Sequence, residues 1–215
     1  MSSMSKFNLL TIICLLASII TSAQSETIRL NNPSFEDKPK RGGEGIDGIS
    51  DWIDCGKIKF PMESPPDIHP NNLWGVNVEA QHGKTYLGMV NRDNNTYESV
   101  MQKLASPLSS KKEYSLDIYL AQSPNYLSNS RKTSYEANYT KPSIFLILAS
   151  DKNCNVQEIL YKSPPIEHQD WKKYTAIIAP DDKVKHLMLA VYSVKDGDNG
   201  HILVDGLSDI IEVKP

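Results

Sequence analysis

The sequence predicts an all-β fold, a β-sandwich or jelly roll, in one domain behind a secretory leader. Three observations predict it. Short alternating or wholly apolar runs recur along the chain between turn residues. No stretch carries the long i, i+3, i+4 apolar pattern of an amphipathic helix. The 13 prolines and 11 glycines are scattered as punctuation between the runs.

The leader comes first. Lys6 precedes an acid-free apolar run from Phe7 to Ile20, and Thr21-Ser22-Ala23 offers the small residues of a cleavage site. The run is too short for a membrane span, and no later run is long enough. Residues 1–23 read as a signal peptide and 24–215 as one domain of ordinary size. The expected location is secreted, periplasmic or cell-surface. The chain has 23 basic and 26 acidic residues, a net charge of −3, with no basic stripe, which argues against nucleic acid. Cys14 falls in the leader, so Cys55 and Cys154 remain, and two cysteines in an exported chain point to one bridge.

The strand candidates follow in order. Trp74–Val78, Thr85–Val90 and Tyr97–Leu104 are short apolar runs. Tyr114, Leu116, Ile118 and Leu120 alternate with Ser115, Asp117 and Tyr119, the period of a half-buried strand. Ser143–Ala149, Gln157–Tyr161, Tyr174–Ala179, His186–Tyr192 and His201–Val204 complete the set. Turns are marked by Pro107, Asn125, Pro142, Pro164-Pro165, Pro180-Asp181-Asp182 and the Asp196–Gly200 run. Asp37–Leu73 and Gln122–Pro142 are long loops. Trp52, Trp74, Tyr126, Tyr135 and Tyr139 lie in or beside them, which argues for function over disorder.

Asn31-Asn32-Pro33-Ser34-Phe35-Glu36 and Leu203-Val204-Asp205-Gly206-Leu207 resemble the opening and closing strands of the galactose-binding-like sandwich of carbohydrate-binding modules. Trp52 fits the tryptophan that ends the first loop there, and Gly83–Gly88 resembles the mid-domain strand after a Gly turn. Cys55, Ser64–Asp67, Thr85–Val90 and Tyr97-Glu98 further resemble an exported module of Bacteroidetes-type outer-membrane and gliding-associated proteins. The resemblance implies a structural calcium. Glu36 and Asp205 would be its charged ligands, with main-chain oxygens near Asn31 and Gly83-Lys84.

For a ligand, sugars want an aromatic platform beside planar hydrogen-bonding groups. Trp74, Arg92, Tyr97, Glu98, Tyr126 and Arg131 supply that chemistry, whereas Trp52 and Trp171 read as packing. No Gly-x-Ser-x-Gly elbow or His-Glu-x-x-His occurs, and Glu63/Asp67 is the nearest thing to a catalytic carboxylate pair. The expected function is therefore an exported, non-catalytic module that binds a carbohydrate or cell-wall glycan. The alternatives are a structural or adhesion module that contacts envelope proteins, and a small hydrolase on the same scaffold.

Overall fold

The computed structural model describes residues 25–42, 49–59, 63–70 and 72–214; the expected leader, residues 1–23, lies outside them. The early strands are short: β1 (Thr27–Ile28), β2 (Ile53–Asp54) and β3 (Asp67–His69), with a five-residue helix, α1 (Cys55–Lys59), after β2. Then come β4 (Tyr86–Asn91), β5 (Ser99–Leu108), β6 (Glu113–Ala121), β7 (Leu127–Asn129), β8 (Glu136–Asn138) and β9 (Ser143–Ser150). The last five are β10 (Val156–Lys162), β11 (Lys172–Ile178), β12 (Val184–Ser193), β13 (Gly200–Asp205) and β14 (Ile210–Val213).

They form two antiparallel sheets and a hairpin. The seven-stranded sheet runs β1-β14-β6-β13-β4-β3, with β11 on the other side of β6. The five-stranded sheet runs β10-β9-β12-β5-β2, and β7 pairs β8. The alternation read in Tyr114–Leu120 is the inward face of β6. It meets Leu87, Met89, Ile202 and Val204 of its own sheet and Phe145, Ile147, Leu187 and Leu189 of the other, in one buried core. The chain is thus the all-β sandwich the sequence predicts. Its first and last strands lie side by side, Thr27 opposite Ile211.

Three strand expectations are corrected. Asn31–Glu36 is a turn and not the opening strand. Asn32 Oδ1 accepts from the Glu36 N–H (2.7 Å) and Asn32 O from the Phe35 N–H (3.2 Å), local bonds that compete with a ladder. Trp74–Val78 is not a strand; Leu73–Gly75 is a 3₁₀ turn. The closing motif splits. β13 and β14 both pair β6, and the chain leaves the ladder at 206–209 between them.

The outer faces are unequal. Over the seven-stranded sheet, the chain around Trp74 and the Tyr126–Tyr139 region fold down to bury a second cluster with Tyr86, Val90 and Leu203. On the five-stranded sheet Met101, Met188, Leu146 and Leu148 pack under the bridge between Cys55 and Cys154, whose Cα atoms are 5.8 Å apart.

Candidate functional site

Four of the six sequence-predicted ligand residues meet, but beneath the surface. Arg92, Glu98 and Tyr126 are buried. Arg92 pairs with Glu98 Oε1, which also accepts from Ser64 Oγ (2.9 Å), while Glu98 Oε2 accepts from the Val90 N–H (3.0 Å). Burial drives the Glu98 carboxyl up to about 7, against the pull of Arg92. Tyr126 donates its hydroxyl to Asp67 Oδ2 (2.9 Å), and the Gly42 N–H donates to Asp67 Oδ1 (2.6 Å). Asp67 is raised by the same desolvation. Trp74, at φ +57°, lays its ring on Tyr126 (centroids 5.6 Å) and carries the Arg41 guanidinium 4.4 Å from its own centroid. Its indole N–H approaches Asp67 without completing a hydrogen bond. Arg131 stands apart, exposed, and its main-chain N–H caps Asp93 (3.1 Å). The fall of two long loops onto one sheet face is what turns these side chains from surface to interior.

Beside that network lies a pair the sequence reading passed over. His69 and His201 are wholly buried with ring centroids 5.7 Å apart, and among the described residues all four ring nitrogens lack a hydrogen-bond partner. They fit only because position 88 is glycine: a Cβ there would stand 2.6 Å from His69 Cδ2 and 2.7 Å from His201 Nε2. Burial holds His69 down to about 4, and His201 well below its usual value. Both are neutral when folded. Below about pH 6.5 the unfolded chain takes up protons that the folded chain refuses, so stability falls from there down to about pH 4. Glu98 and Asp205, raised in the fold, act in the opposite sense over the acid range. A variant comparison separates the two. In urea unfolding at pH 7 and pH 4.5, wild type is expected to lose ground to His69→Phe on acidification. A stability difference that does not change with pH would show that His69 charges in the fold without cost.

The two acids of the chain ends do meet one turn. Glu36 Oε1 accepts from the Lys84 (2.9 Å) and Thr85 (3.4 Å) N–H groups, and Asp205 Oδ2 from those of Gln81 (2.9 Å) and His82 (2.8 Å). Gly83, at φ +68°, gives Glu36 its room, since a Cβ would fall 1.9 Å from Oε1. Asp205 Oδ1 takes the Gly206 N–H (2.7 Å) as well, and burial raises this carboxyl to about 6. The Asn31 carbonyl is taken by Gln102 Nε2 (2.8 Å), and Lys84 is exposed. Two carboxylates at one turn meet the charge requirement of a hard cation. The N–H bonds are what a cation would displace, and among the described residues no cluster of three His, Cys, Asp or Glu side chains supplements them.

An open site lies on the other sheet. Tyr97 and Tyr192 face each other with ring centroids 4.4 Å apart, both half-exposed. On one side lies a polar hollow of about 210 Å³ with Asn95, Thr96 and Asp196 on its wall. On the other, sharing Tyr192 and Ser193, an apolar groove of about 340 Å³ runs over Ile144, Leu146, Leu148 and Ile159. Burial pushes both tyrosine hydroxyls upward, so they stay neutral donors. Tyr97 was legible as a candidate. Tyr192 was not, although its place at the end of an alternating run puts it on the face opposite Val191.

No family model and no curated protein matches the chain. Among solved structures it is similar to an arabinose-bound α-L-arabinofuranosidase, MgGH51, with a TM-score of 0.52 at 10% identity, over 86% of this chain and 26% of that one. It also resembles the xylan-binding CBM22-1 domain of Paenibacillus barcinonensis Xyn10C (TM-score 0.49, 15% identity, 89% and 97% covered). The K2 cleaved adhesin domain of Lys-gingipain aligns as well (0.49, 10%, 88% and 99%). At these identities the likeness is one of fold, and the first of the three carries it. The chain spans about a quarter of that enzyme's length.

Proposed function

We propose that this chain is an exported, non-catalytic β-sandwich that binds a carbohydrate on the outer face of the five-stranded sheet. The observation that carries the reading is the Tyr97–Tyr192 shelf between a polar hollow and an apolar groove. Sugars present C–H faces to aromatic rings and hydroxyls to amides, and both kinds of partner stand here on one ledge. Export is supported by the disulfide, a bond of oxidising compartments. The non-catalytic part is supported by the state of the acids. Asp67 and Glu98 are buried and bonded to protein groups; at the shelf Asp196 stands on the wall, while Glu63 is buried beneath Tyr97 and held by Ser99 and Lys59. On a glycan array, Tyr97→Ala and Tyr192→Ala are each expected to weaken binding by about 1 kcal/mol or more with the fold kept. Unchanged binding by both would remove the shelf. Capture of a protein and no glycan through the exposed Ile159 would favour the adhesion reading instead.

Calcium belongs to the same proposal, with Glu36 and Asp205 as its charged ligands. A cation held by both would tie the first turn to the last long strand and raise the thermal midpoint. The expected result is a midpoint that falls with EGTA and returns with added calcium. A midpoint indifferent to both would mean that the N–H bonds close the domain unaided.

A further inference from the structure

Past the far end of the apolar groove the same sheet face turns basic. A hollow of about 300 Å³ is lined by Lys152, Lys183, Lys185, His186, Gln157 and Asp151. A β-bulge and a register irregularity open onto it. Val184 and Leu187 both face the core, three residues apart, so the irregularity between Val184 and His186 turns Lys185 and His186 outward together. On β10, Val156 opposes Ser150 and Glu158 opposes Ala149, which leaves Gln157 as the extra residue. A bulge re-aims side chains at a sheet edge, and here the one on β10 and the irregularity beside β12 face one hollow.

The charge there is only partly offset, by the one carboxylate in the lining, Asp151. Asp151 spends its carboxylate on its own turn, accepting from the Asn153 N–H (2.8 Å), the Asn155 N–H (2.9 Å) and Asn155 Nδ2 (2.9 Å). Lys59 is near enough to help hold that carboxyl down. Among the described residues, Lys152, Lys183 and Lys185 make no ion pair. Three ammonium groups against one lining carboxylate still leave a local positive excess in a chain of net charge −3. Each ammonium is a compact charge with three rotatable donors, suited to oxyanions of no fixed geometry.

The hollow and the shelf lie on one path. Along β9 the outward residues run from Ser150 at the hollow through Leu148 and Leu146 to Ile144 beside Tyr192. At about 3.3 Å per residue the six steps from His186 to Tyr192 cover about 20 Å. We propose that this hollow is an anion subsite that takes the acidic groups of a charged polysaccharide whose neighbouring sugars reach the tyrosine shelf. The inference rests on the carbohydrate reading above.

Native affinity electrophoresis of the full chain in gels containing polygalacturonate, dextran sulfate, neutral dextran or duplex DNA tests it. The first two arms separate carboxylate from sulfate as the anionic group. At low salt, wild type is expected to bind at least one acidic glycan about tenfold more tightly than neutral dextran. Added salt should erase the excess, because exposed charges are screened beyond a Debye length. Lys152→Gln/Lys183→Gln/Lys185→Gln should lose it with an unchanged circular dichroism spectrum. If this triple variant keeps the preference while Tyr97→Ala/Tyr192→Ala abolishes retention, the subsite is wrong and the shelf stands. If lysine replacement abolishes retention and tyrosine replacement leaves it intact, the anion site stands and the shelf fails. DNA retarded as strongly as the acidic glycans would overturn the subsite as mere polyanion adsorption.

Discussion

Cys55→Ala/Cys154→Ala is expected to lower the unfolding free energy by about 4–5 kcal/mol. The bridge closes a loop over a sequence separation of 99, and in the chain-entropy model a loop of that size confers about that much. The location adds to the loss. Cys55 opens α1, and the β2 strand before it pairs with β5 through only Ile53 and Asp54. Cys154 sits in the β9–β10 turn at φ +60°. Both side chains pack on Met101 and Met188, so the bridge fastens a weakly paired segment onto the outer face of the five-stranded sheet. Downstream of α1, Glu63 bridges to Tyr97. Loosening the helix should therefore also blunt the shelf. Urea unfolding measures the effect, with reduction of wild type as the matched control. A loss under about 1 kcal/mol in both arms would mean that the denatured chain is already compact, or that the segment is held by its other contacts.

The sandwich was legible because its central strands alternate cleanly. β6 reads as Tyr, Leu, Ile, Leu against Ser, Asp, Tyr, and a period of two can bury one face only. The β1–β14 pairing was not legible, because the resemblance set the opening strand at Asn31–Glu36, which is a turn, and the closing strand at Leu203–Leu207, which is the end of β13 and the connection after it. What the alternation does not say is which outer face stays open. The period sends Tyr86, Val90 and Leu203 to one outer face and Tyr192 and Ile144 to the other, with equal standing. Long loops then decide. The chain around Trp74 and the β7–β8 hairpin settle on the seven-stranded sheet, which converts Tyr126, Arg92 and Glu98 from surface candidates into interior groups. Nothing local to those residues announces it, because the contacts are made over long sequence separations. The basic hollow was hidden for another reason. Lys183 and Lys185 look like ordinary exposed lysines at a strand start, and the register irregularity against β5 where Lys185 and His186 fall on the same side is a property of pairing, not of composition.

The buried ion pair gives the other large expected effect. Arg92→Met should cost about 3–5 kcal/mol at pH 8, the range for removing one partner of a buried pair. The reason lies with what is left behind. Glu98 is buried to within 2% of full enclosure, and among the described residues Arg92 is the one cation bonded to it. Asp67 also loses the cation whose field lowers it. The Glu98 carboxyl already stands near 7 with Arg92 in place. Without the guanidinium it rises further, so the folded variant binds a proton that the unfolded chain, with an ordinary glutamate, releases above about pH 4.3. Stability of the variant relative to wild type should therefore recover as the pH falls from 8 to about 6 and level off below that, where the wild-type carboxyl, raised to about 7, is protonated too. A second substitution isolates the charge from the packing. Arg92→Met/Glu98→Gln removes both ions while keeping an acceptor for Ser64 Oγ, and it should regain most of the loss at pH 8 and show little further dependence on pH. Urea midpoints for wild type, the single and the double variant at pH 8 and 5 close the cycle. A single variant within about 1 kcal/mol of wild type at pH 8 would show that water or a rearranged loop reaches Glu98. A double variant no better than the single would show that the guanidinium acts through its packing against neighbouring groups and not through its charge.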